Sequence, residues 1–278
     1  MCFREVAPTI GWLNLSVGYI YPNDEKESDR LDIMHKLTEI SLGGKLNLAP
    51  VQNPQRILDL GTGTGIWAIE TGDKYPDASI LGNDLSPIQP RWVPPNVRFE
   101  VDDVEQEWTY YEKFDYVHCR FMGNAIQDWP RLIKQCFNNT KPGGYVECID
   151  LDLAWRSQDG SLTPEHASLK FNHEFLKATR ALNMEPCPGP QLEGWMKDAG
   201  LVDIKADKFV WPVGTWPKDK HLKEVGAWNY LQISEGLEAF TYAIFTRQLG
   251  YSQKECDVVC AKIRAEMKDP KMHAMFYL

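Results

Sequence analysis

Ile57-Leu58-Asp59-Leu60-Gly61-Thr62-Gly63-Thr64-Gly65 runs from a short apolar strand through three alternate glycines, and residues 65–75 then read as a helix closed by Pro76. Glycine permits tight turns and lets a ligand approach the backbone closely. A helix that starts there offers unpaired N–H groups to an anionic or carbonyl group. The spacing sorts the ligands. A dinucleotide fingerprint G-x-G-x-x-G begun at Gly61 or Gly63 needs glycine at 66 or 68, where Ile66 and Ala68 stand. The Gly-Lys-Ser/Thr of a nucleoside-triphosphate loop is absent too.

Working outward, short strands are expected at 56–60, 78–84, 97–101, 114–119 and 144–149, the last after a Lys141-Pro142-Gly143-Gly144 turn, with a further helix at 125–139. This alternation predicts an α/β fold, a Rossmann-like doubly wound sheet, mostly parallel. Its ligand crevice lies at the first crossover. Upstream, Pro22-Asn23-Asp24-Glu25 reads as a turn into a helix carrying Leu31, Met34, Leu37 and Ile40 at helical spacing, ended by Gly43-Gly44. Downstream the alternation loosens into helices at 164–184, 191–199, 219–249 and 252–268 and strands at 202–213 and 272–278. Ser252 and Glu255 stand at capping-box spacing. No linker is evident, so 1–278 reads as one domain: a helical lid at 1–50, a core at 51–155, and at 156–278 a helical cover over the C-terminal edge of the sheet.

Asp84 ends the second strand, nineteen positions beyond Gly65. A carboxylate there can accept from both ribose hydroxyls of an adenosine group. Asp102-Asp103-Val104 follows the third strand, where a carboxylate can take an adenine amino proton. The alternatives for these acids are a helix cap and a solvated turn.

Lys and Arg number 30 against 39 Asp and Glu, a net charge of −9, which disfavours general attraction to nucleic acid or anionic lipid. No apolar run approaches the roughly 18 residues of a membrane span, and the N-terminus lacks a secretory pattern. The seven cysteines form no CxxC pair, and no cluster has metal-ligand spacing, so no metal is expected. A reducing cytosol is the expected compartment, with the nucleus as the alternative.

Asp59-x-Gly61-x-Gly63-x-Gly65 resembles motif I of class I S-adenosylmethionine (SAM) methyltransferases. The wording is closer still to LaeA-like fungal methyltransferases, in Tyr21-Pro22-Asn23-Asp24-Glu25 with Asp29-Arg30-Leu31-Asp32 and His35, in Asp84-Leu85-Ser86-Pro87-Ile88-Gln89-Pro90, and in Val93-Pro94-Pro95-Asn96-Val97 through Asp102-Asp103. This likeness covers roughly residues 20–155. It implies SAM binding, with S-adenosylhomocysteine as product, through Asp59, Gly61, Thr62, Gly63, Gly65, Asp84, Leu85, Ser86, Asp102, Asp103 and Val104. It also implies a lid helix bringing Tyr21 and Arg30 near the cofactor, and Cys119-Arg120 at its methionine end. The family usually continues past the last apolar strand, so the final hairpin is expected to be cut short at Leu278.

The acceptor is less constrained. No Asn-Pro-Pro-Tyr or Asp-Pro-Pro-Tyr follows the fourth strand, which argues against base-amine nucleic-acid methylation. Candidate bases are His118, Asp150, Asp152 and His173, each with an ordinary structural alternative. Asp150 and Asp152 would share a face if their strand continues. Trp228 and Tyr230 are candidates to wall an apolar substrate. The expected activity is direct in-line O-, N- or carboxyl-methylation of a small secondary metabolite. The rivals are a SAM-binding regulator acting through protein partners and a non-methylating enzyme on the same fold.

Overall fold

The computed structural model describes residues 24–278; Tyr21, expected beside the cofactor, lies outside the described residues. α1 (Glu25–Ser41) starts where Asp24 Oδ1 accepts from the Glu27 N–H, 2.9 Å. β1 (Arg56–Leu60), α2 (Ile66–Lys74), β2 (Ser79–Asp84), β3 (Val97–Val101), β4 (Phe114–Arg120), α3 (Trp129–Asn139) and β5 (Thr140–Ile149) follow. The five strands form a parallel sheet in the order β3-β2-β1-β4-β5. The order reverses beside β1, so the crevice between the ends of β1 and β4 is where such a sheet receives a ligand.

Both faces of the sheet are covered at its centre, which is why β1, β2 and β4 are buried almost throughout rather than alternating, while the edge strands β3 and β5 are partly exposed. Ile57, Ile80, Val97 and Tyr116 pack on Trp67 and Ala68 of α2. Leu58, Leu81 and Val117 pack on Leu132, Ile133 and Cys136 of α3 from the other side. α3 starts four residues later than its apolar pattern suggests. Asp128 caps it through the Arg131 N–H, and Pro130 occupies its first turn, where a missing N–H costs nothing. Between β4 and β5 the register jumps from Phe114↔Thr140 to Tyr116↔Tyr145, so Lys141-Pro142-Gly143-Gly144 is a bulge inside β5 rather than a turn before it.

Beyond the sheet lie β6 (Asp152–Arg156), α4 (Ala167–Arg180), α5 (Gly189–Ala199), β7 (Val210–Pro212), α6 (Lys220–Thr241) with a π-helical turn at Tyr242–Thr246, α7 (Gln253–Met267) and β8 (Met275–Tyr277). The strand expected over 202–213 shrinks to β7, because Val202 is exposed and Asp203 turns into the left-handed region at φ 53°. The expected last strand is paired over Met275–Tyr277. It joins β6 and β7 in a separate antiparallel sheet, order β6-β8-β7. α1 buries Met34 and Leu37 with Ile233 and Leu237 of α6, and Trp211 of β7 donates to Ser41 Oγ, 2.8 Å. The lid helix and the cover therefore share one core.

Candidate functional site

Two of the three loop glycines leave no room for side chains. Gly61 sits at φ 59°, and a Cβ there would lie 2.2 Å from Met122 Sδ. Gly65, at φ 79°, would put one 2.4 Å from the Phe99 ring. Positive φ and crowding together demand glycine. Asp59, at the end of β1, is buried; its Oδ2 accepts from Thr62 Oγ1 at 2.6 Å and braces the loop from below. Its Oδ1 lies 2.7 Å from His118 Nδ1. His118 is completely buried and stacks on Trp67 with centroids 3.7 Å apart. The candidate base His118 is therefore enclosed in the core, where no acceptor reaches it; strand position alone did not reveal which way it faces.

Asp84 meets the loop from the side. Its Oδ2 accepts from the Gly63 N–H and its Oδ1 from the Ser86 N–H, both at 2.9 Å, while burial pushes its carboxyl up. The β2–β3 pairing brings Asp102 alongside, and the Asp102 N–H donates to the Asp84 carbonyl at 3.1 Å. Asp102 Oδ1 accepts from the Asp103 N–H, Asp103 accepts from the Glu105 N–H and Gln106 Nε2, and Val104 is buried. Leu85 is exposed beside Asp84. The structure thus gathers the loop, Asp84 and Asp102 at one end of the sheet.

α1 closes over this end. Thr64 Oγ1 donates to Asp32 Oδ1 at 2.7 Å. Arg120, at the end of β4, donates to His35 Nδ1 at 2.7 Å, and His35 Nε2 lies 3.0 Å from Glu70 of α2. Burial, then the charge of Arg120, holds the His35 imidazole down at about 4, so it stays neutral, accepting at Nδ1 and donating at Nε2. His35 and Glu70 were not singled out as site residues from sequence. Their signal is that His35 lies four residues after Leu31, on the α1 stripe facing Gly63. Cys119 points away, into the core; its thiol is hydrogen-bonded to Cys148 Sγ, 3.2 Å, and that bond and burial push it up.

Next to the glycine end, a cavity of about 150 Å³ opens between the ends of β4 and β5 and the cover. Leu153, Trp155, Phe171, Phe175, Ile233, Leu237 and Phe240 make it mostly apolar. Arg30 lines its roof, bound to both Glu27 oxygens at 2.8 and 2.7 Å. Asp150 lines its floor, its oxygens accepting from the Met122 and Leu151 N–H groups at 2.7 and 2.8 Å, and burial pushes its carboxyl up to about 7. Asn124 contributes a buried Oδ1 without a hydrogen-bond partner.

The other candidates lie elsewhere. Asp152 does not share a face with Asp150, because β5 stops at Ile149 and β6 begins a new sheet; Asp152 pairs with Arg156 at 2.7 Å. His173 is exposed on α4, next to the buried Asn172. Trp228 and Tyr230 pack half-buried against the cover's core rather than lining the cavity. α6 does wall it, but through Gln232, Ile233, Leu237 and Phe240.

The family described as "Methyltransferase domain" matches residues 32–206. Over 260 residues the chain is 44% identical to "Methyltransferase pytC" of Aspergillus terreus, covering 93% of this chain and 80% of that protein. It is 37% identical over 264 residues to "Secondary metabolism regulator LAE1" of Cochliobolus heterostrophus, covering 92% and 86%. To "Protein-methionine methyltransferase laeA" of Emericella nidulans it is 34% identical over 261 residues, covering 92% and 69%. The chain belongs to the LaeA-like fungal family of class I SAM-dependent methyltransferases. Its residues fit the family's cofactor on two structural counts. At Gly63 an added Cβ would meet only Leu31, at 3.4 Å, so the backbone lies open there to a close-approaching group, and the buried Asn124 Oδ1 on the adjoining cavity has no hydrogen-bond partner.

Proposed function

We propose that this LaeA-like methyltransferase binds SAM along the glycine loop and methylates a small, largely apolar metabolite held in the adjoining cavity. Asp84 takes the ribose hydroxyls and the Asp102–Val104 turn meets the adenine. Arg120, aimed by His35, faces the methionine carboxylate, since a guanidinium fork suits a carboxylate. SAM supplies a methyl on a sulfonium, ready for in-line displacement. The chain's contribution is orientation and exclusion of water under α1. One observation carries the reading: the apolar cavity ends at Gly123 and Asn124, on the turn that leaves β4 beside the glycine loop.

The test is turnover with methyl-labelled SAM against a metabolite extract from a fungus. Label should appear in a small, extractable product. Label confined to protein, or none with an intact fold, would overturn the acceptor class.

A regulatory reading is supported by the similarity to proteins named as regulators of secondary metabolism. It predicts capture of a defined partner by the SAM-loaded chain with no turnover of small molecules. The buried thiols Cys119, Cys136, Cys256 and Cys260 suit a reducing compartment, cytosol or nucleus. Among the described residues no helix is long and apolar enough to cross a membrane.

A further inference from the structure

We infer that the acceptor is a neutral hydrogen-bond donor, a phenolic or enolic hydroxyl on a flat apolar ring, and that Asp150 orients this hydroxyl and takes its proton. The inference rests on the methyl-transfer reading and narrows it to one acceptor chemistry.

The polar groups around the cavity are unequally satisfied. Asn172 is spent on the chain: its Nδ2 donates to the Leu153 carbonyl and its Oδ1 accepts from the Trp155 N–H, both at 2.9 Å. Gln232 is likewise engaged, with Nε2 donating to Asn229 Oδ1 at 2.9 Å and Oε1 lying 3.5 Å from Arg30 Nη1. Arg30 has its charge met by Glu27 at the roof. What is left are acceptors: the Asn124 Oδ1, and the lone pairs of Asp150 not taken by backbone N–H groups. Among the described residues no Lys or Arg forms an ion pair with Asp150. The Asn124 oxygen has no donor and Asp150 has only backbone N–H donors, and a buried acceptor left short of donors is costly, so the molecule that completes this cavity brings donors.

Charge narrows the choice further. The other titratable groups facing Asp150 are the Cys119 and Cys148 thiols beneath it, both pushed up and so neutral, and the compensated Arg30–Glu27 pair. Above about pH 7, where Asp150 is ionised, a carboxylate acceptor would meet its charge, and among the described residues no Lys or Arg pairs with Asp150 to offset it. An amine would be held as its ammonium form, which has no lone pair to attack with. A hydroxyl meets both needs: it donates to Asp150 and becomes nucleophilic as the proton leaves. In the transfer, the hydroxyl oxygen forms the new O–C bond while the C–S bond breaks with its electron pair going to sulfur. The hydroxyl proton passes to an Asp150 oxygen. The cavity volume, about 150 Å³, is of the order that receives a benzene-sized ring elsewhere, and Trp155, Phe171 and Phe175 line it with aromatic carbon.

The test measures binding of p-cresol and p-toluate, equal in ring and methyl, to the chain loaded with S-adenosylhomocysteine, by calorimetry at about pH 8.5, where Asp150 is ionised and p-cresol is still a neutral donor. The expected result is p-cresol bound at least about tenfold more tightly than p-toluate. Asp150→Asn should weaken p-cresol about tenfold and narrow the gap, with S-adenosylhomocysteine affinity unchanged. Equal or tighter p-toluate binding, no binding of either probe, or wild-type p-cresol affinity in a folded Asp150→Asn protein would each overturn the inference. Wild-type protein that binds no S-adenosylhomocysteine would instead sink the methyl-transfer reading and this inference with it.

Discussion

At the glycine end, the contacts run through backbone: Gly63 and Ser86 N–H groups on Asp84, the Asp102 N–H on the Asp84 carbonyl, and glycines whose φ values admit no other residue without strain. At the cavity end, the walls are side chains from β6, α4, α6, α7 and β8, held by packing. A site made of backbone tolerates little change, whereas a packed wall can change shape while the sheet stays as it is. In the proposed reading, the backbone-built end holds a fixed nucleoside and the packed end suits a particular acceptor.

The sharpest way to break this division is to damage each end separately. Asp84→Ala removes the acceptor of two N–H groups and the proposed ribose contact. S-adenosylhomocysteine binding should fall by at least about 100-fold, roughly 3 kcal/mol, measured by calorimetry. Leu237→Trp fills the cavity from α6. It should cut acceptor methylation by more than about tenfold and leave S-adenosylhomocysteine affinity within about twofold, at an overpacking cost of about 1–3 kcal/mol in thermal unfolding. If either variant disables both ends equally, the division is wrong.

Two pH effects sharpen it. Asp150 must be ionised to take a proton, so methyl transfer should fall as pH drops through about 7 and level off above it, read from the rate profile. His35 must likewise be deprotonated, but it acts on the lid and at lower pH. Its folded value of about 4 lies below the unfolded 6.5, so the stabilisation it lends α1 is full above 6.5 and lost as pH falls toward 4. That loss is on the order of 3 kcal/mol and should appear as faster hydrogen exchange in α1 over that window. His35→Gln should flatten the dependence.

The smallest effect lies far from both ends. Ser252 Oγ accepts from the Glu255 N–H while Glu255 Oε2 accepts from the Ser252 N–H. Ser252→Ala should lower stability by about 1 kcal/mol in thermal unfolding and leave both ligand sites untouched.

That capping box, the glycine loop, Asp84 and the first four strands were legible in the sequence because each depends on residues close together in the chain. β8 was not assigned its partners, because Met275 pairs with Arg156, more than a hundred residues back, and with Pro212, more than sixty back, and no local pattern marks such pairings. The cavity walls failed for the same reason. Trp228 and Tyr230 are the conspicuous aromatics of α6, yet the helix rotates them onto the cover's core and turns Ile233, Leu237 and Phe240 inward. His118 was misjudged because a strand buried on both faces gives no alternation from which to read a side chain's direction.

The central claim is that Asp84 and the glycine loop form a nucleoside site specific for the SAM pair. Calorimetric titration of the wild type and Asp84→Ala with SAM, S-adenosylhomocysteine and NAD tests it most directly. The account predicts micromolar binding of the first two, none of NAD, and loss in the variant. NAD binding on a par with SAM, or an Asp84→Ala protein that binds like the wild type, would contradict it.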